Sequence, residues 1–294
     1  GSTLTFNRVD GRIQSFEKEG RWAAASSNHG TLPEEVEMNN NNSQLLVGGR
    51  EPLGRKRFRF ACHSGLICYR NCCRRQNLFL YPYDVIRLKT RLGIDSEEFL
   101  NRHAGLVKGH NPFFPSVMLQ MAANQERTCP FLGSEGCTVY EDRPSACRTY
   151  PLERGVERVP RSSRLEEHYF LVRHIYCRGH EQEQEWSVKE WVQDQQISPF
   201  NLMDDLWAEM DALFATNPWP EEGTAGPRQQ LAFLVCYNID GFRRYVRDFN
   251  LLAQFRLDRQ QLQAIETGDE ELLRFGFNWL KLMFAGIPTL KPRK

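Results

Sequence analysis

Between Phe60 and Arg75 the chain reads FACHSGLICYRNCCRR, which sets Cys62, Cys68, Cys72 and Cys73 in one short stretch. A second group, Cys129, Cys137 and Cys147, lies in CPFLGSEGCTVYEDRPSACRTYP, and Cys177 comes later. Of nine cysteines only Cys236 falls outside this region. Cysteines that merely fill a core scatter with the core, and structural disulfides are uncommon in a reducing compartment, so shared metal–thiolate chemistry is the reading of such clustering. The candidate ligands are therefore Cys62, Cys68, Cys72, Cys73, Cys129, Cys137, Cys147 and Cys177. Cys236 sits in the apolar run LAFLVCY and reads as a core thiol.

All-thiolate ligation suits zinc or an iron–sulfur centre. None of the spacings is the C-x2-C knuckle of a zinc finger. The irregular intervals and the adjacent Cys72-Cys73 pair, whose side chains can face different centres, favour one or two iron–sulfur clusters of the 4Fe-4S type, with zinc as the alternative. Eight thiols would fill two four-cysteine sites. A radical-SAM loop needs C-x3-C-x2-C, and after Cys68 and Cys72 its third position holds Arg75. There is no phosphate-binding glycine loop and no H-E-x-x-H zinc motif. His180, three residues after Cys177, and His63, next to Cys62, read as loop residues rather than ligands.

The elements that must position these thiols are short. The spacing of Val85, Ile86, Leu88 and Leu92 predicts a helix over Tyr83 to Leu92, and Asp95 with Glu98 has the capping-box spacing that starts another. PFL and TVY around GSEG predict a hairpin bringing Cys129 and Cys137 together. Asp142 is expected to cap a short helix ended by Pro151, with Cys147 in its first turns, where a helix dipole would lower the thiol pKa. From Trp186 onward the pattern is helical, with starts at Ser187, Ser198-Pro199, Asp258 and Asp269, and a stop at Gly286 and Pro288. The expected fold is α+β, mostly α: a cysteine-rich metal-binding region with short helices and a β-hairpin, packed with a helical C-terminal region. The expected organisation is an N-terminal extension (1–54) containing the run Asn39 to Asn42, a cysteine-cluster domain (55–180) and a helical region (181–294).

At 294 residues with 40% hydrophobic side chains, the chain has ample core for one large or two modest domains. A net charge of +1 gives no global case for nucleic acid, and no apolar run approaches the roughly 20 residues of a membrane span. The opening Gly1-Ser2 reads as a cloning remnant without a signal-peptide pattern after it, so the expected location is cytoplasmic. Locally, seven Lys or Arg and no acid lie between Arg55 and Arg75, and Arg148 and Arg178 follow Cys147 and Cys177. Guanidinium groups there are expected to offset thiolate charge.

The order C…C…CC-R, then GC-T-V-Y-E-D-R-P-S-A-C-R-T-Y-P from Gly136 to Pro151, then Cys177-x-Gly179, resembles the YkgJ-like cysteine-cluster family, a domain described as zinc- or iron-chelating. The resemblance covers roughly Phe60 to Gly179. Where that family spaces its first cysteines C-x2-C-x2-CC, this chain reads Cys62-x5-Cys68-x3-Cys72-Cys73, so which of these four are ligands stays open. Flagellin lysine methylases have a similar cysteine pattern, which implies a route to protein or peptide modification. Two function classes follow: an iron–sulfur redox or modification enzyme acting on a protein or peptide, and a zinc-stabilised adaptor without catalysis.

Overall fold

Helix starts written into the sequence set most of the architecture of this computed structural model, which describes residues 5–9, 12–16, 46–158, 165–223 and 225–293. Most of the expected N-terminal extension, including Asn39 to Asn42, lies outside the described residues. The chain separates into two units, 1–44 and 45–294. In the first, β1 (Thr5–Val9) and β2 (Arg12–Phe16) pair antiparallel.

The second unit is α+β and mostly helical. α1 (Pro82–Leu92) and α2 (Ser96–His103) occupy its cysteine-rich half, along with the five-residue α3 (Ser145–Thr149). α4 (Val188–Asp194), α5 (Ser198–Ala215), α6 (Pro227–Tyr237), α7 (Ile239–Asp248), α8 (Arg259–Thr267) and α9 (Asp269–Ala285) make up the rest. The caps explain the boundaries. Asp95 accepts the Glu98 N–H at 2.7 Å, and Ser187–Glu190 and Asp258–Gln261 form reciprocal capping boxes. Gly286 closes α9 in the left-handed region, which its missing Cβ permits without strain. Ser198 and Asp269 are not caps. Each is the first helical residue, behind Ile197 and Gly268, because Pro199 and the acidic turn Asp269–Glu271 already suit the unbonded N-terminal turn.

The strands are few and antiparallel: β3 (Leu46–Pro52) with β9 (Leu165–His174) and β8 (Leu152–Arg158); β5 (Phe79–Leu80) with β7 (Ser116–Leu119) and β6 (Ala104–Val107); and the short pair β4 (Phe58–Arg59) with β10 (Glu185–Trp186). Two cores result. The larger joins Leu80, Val85, Leu88, Phe99 and Val117 from the cysteine-rich half to Phe214, Val235, Phe242, Phe277 and Leu280 of the C-terminal helices. The smaller gathers Leu53, Phe58, Phe60, Leu152, Leu171, Trp191 and Ile197 under the β3–β9–β8 sheet. Cys236 is 1% exposed in the larger core, as a core thiol should be.

A polar bolt also crosses the halves. Lys89 of α1, 8% exposed, pairs with Asp240 at 3.2 Å and Asp269 at 2.7 Å, and the Ser96 N–H and hydroxyl bond Asp240 and Asn238 at 2.7 and 2.9 Å. Such a pair favours one register over others, because an unpaired buried charge is costly. Among the described residues no helix is long and apolar enough to cross a membrane.

Candidate metal centre

The first four cysteines lie on a loop with little regular structure. Phe60 and Ala61 anchor its start by donating to Gln184 O at 2.9 Å and Gly179 O at 3.0 Å. Successive turns (Leu66 N–H to His63 O, Tyr69 N–H to Leu66 O, Asn71 N–H to Cys68 O) lead into a single 3-10 turn, Asn71–Cys73. Arg70 and Arg75 bracket the Cys72-Cys73 pair with φ of 71° and 55°, a conformation non-glycine residues adopt at a cost and often at functional sites. The loop is then stitched to the second group: Arg75 N–H bonds Arg127 O at 3.0 Å, and Cys129 N–H bonds Cys73 O at 2.8 Å. Cys73 and Cys129 are thus backbone neighbours.

The expected hairpin is a tight one, reduced to a single bridge between Leu132 and Cys137, with Gly133 N–H to Gly136 O at 2.8 Å and Thr138 N–H to Phe131 O at 2.9 Å. The expected cap of the next helix is corrected. Asp142 closes a 3-10 turn and binds Arg87 at 2.9 Å, while α3 begins at Ser145, whose N–H is capped at 2.8 Å by Asp84 from α1. Ser145 also donates its hydroxyl to Asp204 of α5 at 2.7 Å, so two aspartates from two longer helices pin the helix that carries Cys147. Cys177 follows β9, its N–H bonded to His174 O at 2.9 Å.

Backbone N–H groups aim at the sulfurs. Phe131 N–H reaches Cys129, Val139 N–H reaches Cys137 and Gly179 N–H reaches Cys177, each from two residues ahead, and Arg178 N–H donates to Cys68 Sγ at 3.2 Å. Such donors favour thiolate over thiol. Gly179 is required here: a Cβ would lie 2.6 Å from the Phe60 ring and 2.8 Å from Ala61 O, so the turn that presents its N–H closes only without a side chain.

Burial works the other way and outweighs these donors. It pushes the Cys62 thiol up to about 11, with Cys72, Cys177 and Cys68 adding repulsion. Cys129 is likewise raised to about 11 by burial, against the Phe131 N–H and with Cys137 and Cys72 adding to it. Cys147 stands well above the usual thiol range through burial, then Cys129, Cys72 and Cys137; Cys72 does so through its hydrogen bond with Cys73, then burial. The expected helix-dipole lowering of Cys147 is thereby corrected: one short turn cannot offset deep surroundings. Cys147 is nonetheless exposed at the surface. A coordinating cation reverses this balance, because it deprotonates the thiol it binds.

These interactions fall into two groups. Cys62, Cys68 and Cys177 act on one another, as do Cys129, Cys137 and Cys147, and Cys72, paired with Cys73, touches both groups. Among the described residues, no set of three His, Cys, Asp or Glu side chains surrounds a common point as ligands as they stand. The donor set, eight thiols with backbone N–H groups directed at four of them, fits zinc or iron by chemistry. Cys137 also lines an open groove of about 510 Å³ with Tyr69, Gly136 and Tyr140, which exposes one edge of the cluster.

The basic residues are engaged elsewhere than expected. Arg57 pairs with Glu190 at 3.0 Å, Arg59 with Glu185 at 3.2 Å, Arg74 with Glu126 at 2.6 Å and Arg178 with Glu181 at 2.6 Å. Arg148 donates to the carbonyls of Gln195 and Glu141, each at 2.6 Å. Backbone amides supply the hydrogen bonds to sulfur, while Arg143 and Arg91 act on Cys137, and Arg178 on Cys68, through charge. His63 closes its own turn by accepting the Gly65 N–H at 3.2 Å. His180 contacts the Tyr150 hydroxyl at 3.2 Å, and Tyr150 works against the burial that raises the Cys177 thiol pKa. Tyr150 and the Asp84–Ser145–Asp204 link are site features that sequence reasoning missed, although Ser145 and Tyr150 stand inside the R-P-S-A-C-R-T-Y-P motif.

Residues 61–178 match the model of the CxxCxxCC family, described as "Putative zinc- or iron-chelating domain", and the stretch contains all eight clustered cysteines. The match spans less than half of the chain, and it is a likeness of that stretch to the family. Comparison with curated proteins and with solved structures gives no match.

Proposed function

We propose that Cys62, Cys68, Cys72, Cys73, Cys129, Cys137, Cys147 and Cys177 hold one or two iron–sulfur clusters, and that the protein uses them in a redox reaction or in modifying a protein or peptide. What supports this reading is that thiols from distant segments lie within electrostatic reach of Cys72: Cys62 and Cys177 on one side and Cys129, Cys137 and Cys147 on the other, with amide N–H groups aimed at sulfur. Iron–sulfur centres take four cysteine sulfurs each, and their potentials respond to such hydrogen bonds. Two groups joined by an adjacent cysteine pair match that demand better than one zinc ion would.

On this reading Cys62, Cys68 and Cys177 hold one side and Cys129, Cys137 and Cys147 the other, with Cys72 and Cys73 completing them. A bound centre supplies one-electron chemistry. The chain itself orients the sulfurs, buries Cys68, and leaves the groove at Tyr69, Cys137 and Tyr140 as the approach for a partner.

Anaerobically purified protein is expected to be brown, to absorb near 400 nm and to bleach with dithionite, about as thiolate-bound iron–sulfur centres do. A colourless protein carrying stoichiometric zinc would replace this reading with the zinc-stabilised adaptor.

A further inference from the structure

Among the described residues, no cysteine lines the groove of about 670 Å³ that opens between the turn after β3, the middle of β9 and the starts of α4 and α5. Gly54 sets the turn. Its φ of 53° suits a residue without a Cβ, Lys56 N–H closes the turn on Leu53 O at 2.8 Å, and Leu53 N–H ties it to Tyr169 O of β9 at 2.9 Å. Arg55 and Lys56 therefore line the groove from the turn, and Lys189 lines it from α4.

The charges of this groove are unbalanced. Arg55 and Lys189 are exposed and, among the described residues, neither forms an ion pair or a side-chain hydrogen bond; Lys56 has only Glu51, at 3.9 Å. The two acids that line the groove, Glu167 and Asp205, are already taken. Arg154, with a side chain 11% exposed, donates to Glu167 at 2.6 Å and to the two oxygens of Asp205 at 2.6 and 2.8 Å. Tyr169 accepts the Asn201 amide at 2.9 Å and so keeps its own proton to give. α5 meets the groove at Ser198 with its positive end, and has neither a side-chain cap nor an acid in its first turn. Positive charge is left over and negative charge is not.

Beside these groups the surface is aliphatic: Val188 and Val192 are half-buried and Leu202 is 52% exposed. That disfavours two simple occupants. A small anion alone would leave the aliphatic surface in water, and single-stranded nucleic acid binds on stacking platforms, whereas Tyr169 is the one aromatic lining residue among those described. We propose that the groove docks an acidic peptide segment of a partner, its carboxylates on Arg55 and Lys189 and its apolar side chains on Val188, Val192 and Leu202. The inference goes beyond the metal reading and does not depend on what the thiols bind.

The test uses the full chain and the fluorescence anisotropy of short labelled peptides at physiological salt. A peptide of alternating Glu and Leu is expected to bind about tenfold more tightly than one of alternating Gln and Leu or of alternating Glu and Ser, since charge and apolar contact are both required. Arg55→Glu and Lys189→Glu should each weaken its binding about tenfold, because each turns an attraction into a repulsion, and Leu202→Asp should weaken it about as much. Lys291→Glu changes an exposed side chain outside the groove by the same charge and should scarcely matter. A gain of binding guards against variants that simply fold poorly: Arg55→Glu combined with Lys189→Glu should hold a peptide of alternating Lys and Leu more tightly than wild type does. The proposal is overturned if the Glu and Leu peptide binds no better than the Glu and Ser peptide, if Lys291→Glu weakens binding as much as Arg55→Glu, or if an oligouridylate displaces the peptide and binds more tightly.

Discussion

The loop from Ala61 to Leu78 and the helices from Pro227 to Ala285 solve the problem of burial in opposite ways. Along the loop only Cys68 is fully buried, and order comes from turns, amide bonds to neighbouring carbonyls and two arginines held at positive φ. The helices bury Leu231, Val235, Phe242, Leu273, Phe277 and Leu280 against one another and against α1. Apolar burial on that scale, at about 25 cal/mol per Å², holds a helix bundle without help. A loop with one buried side chain has no such source, and a cation held by its thiols would supply the cross-links that burial does not. Stability of the loop should therefore follow metal, while stability of the helices should not.

The strongest way to break this contrast is to remove a ligand. Cys147→Ala is expected to lower bound metal and melting temperature together, since metal affinity becomes folding free energy where the site is not preformed. Hydrogen exchange should show the Ala61 to Leu78 amides losing protection first. Equal loss of protection in α6 and α9 would mean that the two regions are not distinct in the way described.

A cut across the join between the regions comes next. Lys89→Met removes the ammonium shared by the half-buried Asp240 and Asp269, which keep the Ser96 N–H and Arg243 respectively, at a cost of about 1.5–3 kcal/mol measurable by denaturant unfolding. Burial alone would raise Asp240, but the Ser96 N–H and Lys89 outweigh it and hold its pKa below the usual range. A depressed carboxylate stabilises above its unfolded pKa, roughly 4, and that part of the stability is lost as pH falls through the lower folded value. Wild type should accordingly lose stability below about pH 4 faster than Lys89→Met does.

Asp84 and Asp204 sharpen the comparison with the opposite sign. Both stand above the usual carboxylate range, because they are buried, and for Asp204 also because Asp84 faces it; Asp204 reaches about 7. A raised folded pKa gives stability that is present below the unfolded value, roughly 4, and lost as pH rises toward 7. Asp204→Asn, which can still accept the Ser145 hydroxyl, should raise the melting temperature by a few degrees at pH 8 and scarcely at all at pH 4. A variant with the same gain at both pH values would remove the carboxylate pair from the account.

Cys236→Ala is the smallest change. It truncates a thiol in the helical core, should cost on the order of 1 kcal/mol in denaturant unfolding, and should leave metal content untouched.

How much of this was legible in the sequence depended on whether the cause was local. Caps at Asp95, Ser187 and Asp258, the helix spacing of Val85 to Leu92 and the stop at Gly286 are local, and the structure has them where the residues put them. Cys236 as a core thiol and the grouping of cysteines in a recognisable family domain were also readable from position and motif. What was not readable came from tertiary partners. Asp142 has the composition of a cap, yet Asp84 caps α3 from 61 residues away in sequence. Of the basic residues expected to compensate thiolate charge, Arg178 does act on Cys68, but Arg57, Arg59 and Arg74 are claimed by Glu190, Glu185 and Glu126, and sequence proximity says nothing about which acid the fold will bring near. The lowered pKa expected for Cys147 failed for the same reason: depth of burial belongs to the fold, not to the turn.

The central claim, that the clustered thiols hold iron–sulfur centres, is most directly tested by measuring metal and acid-labile sulfide per chain in protein purified without oxygen. The account predicts iron and sulfide in comparable amounts, about four of each per cluster, and about one cluster's worth less of each in Cys147→Ala. Stoichiometric zinc with no sulfide in the wild type would contradict it.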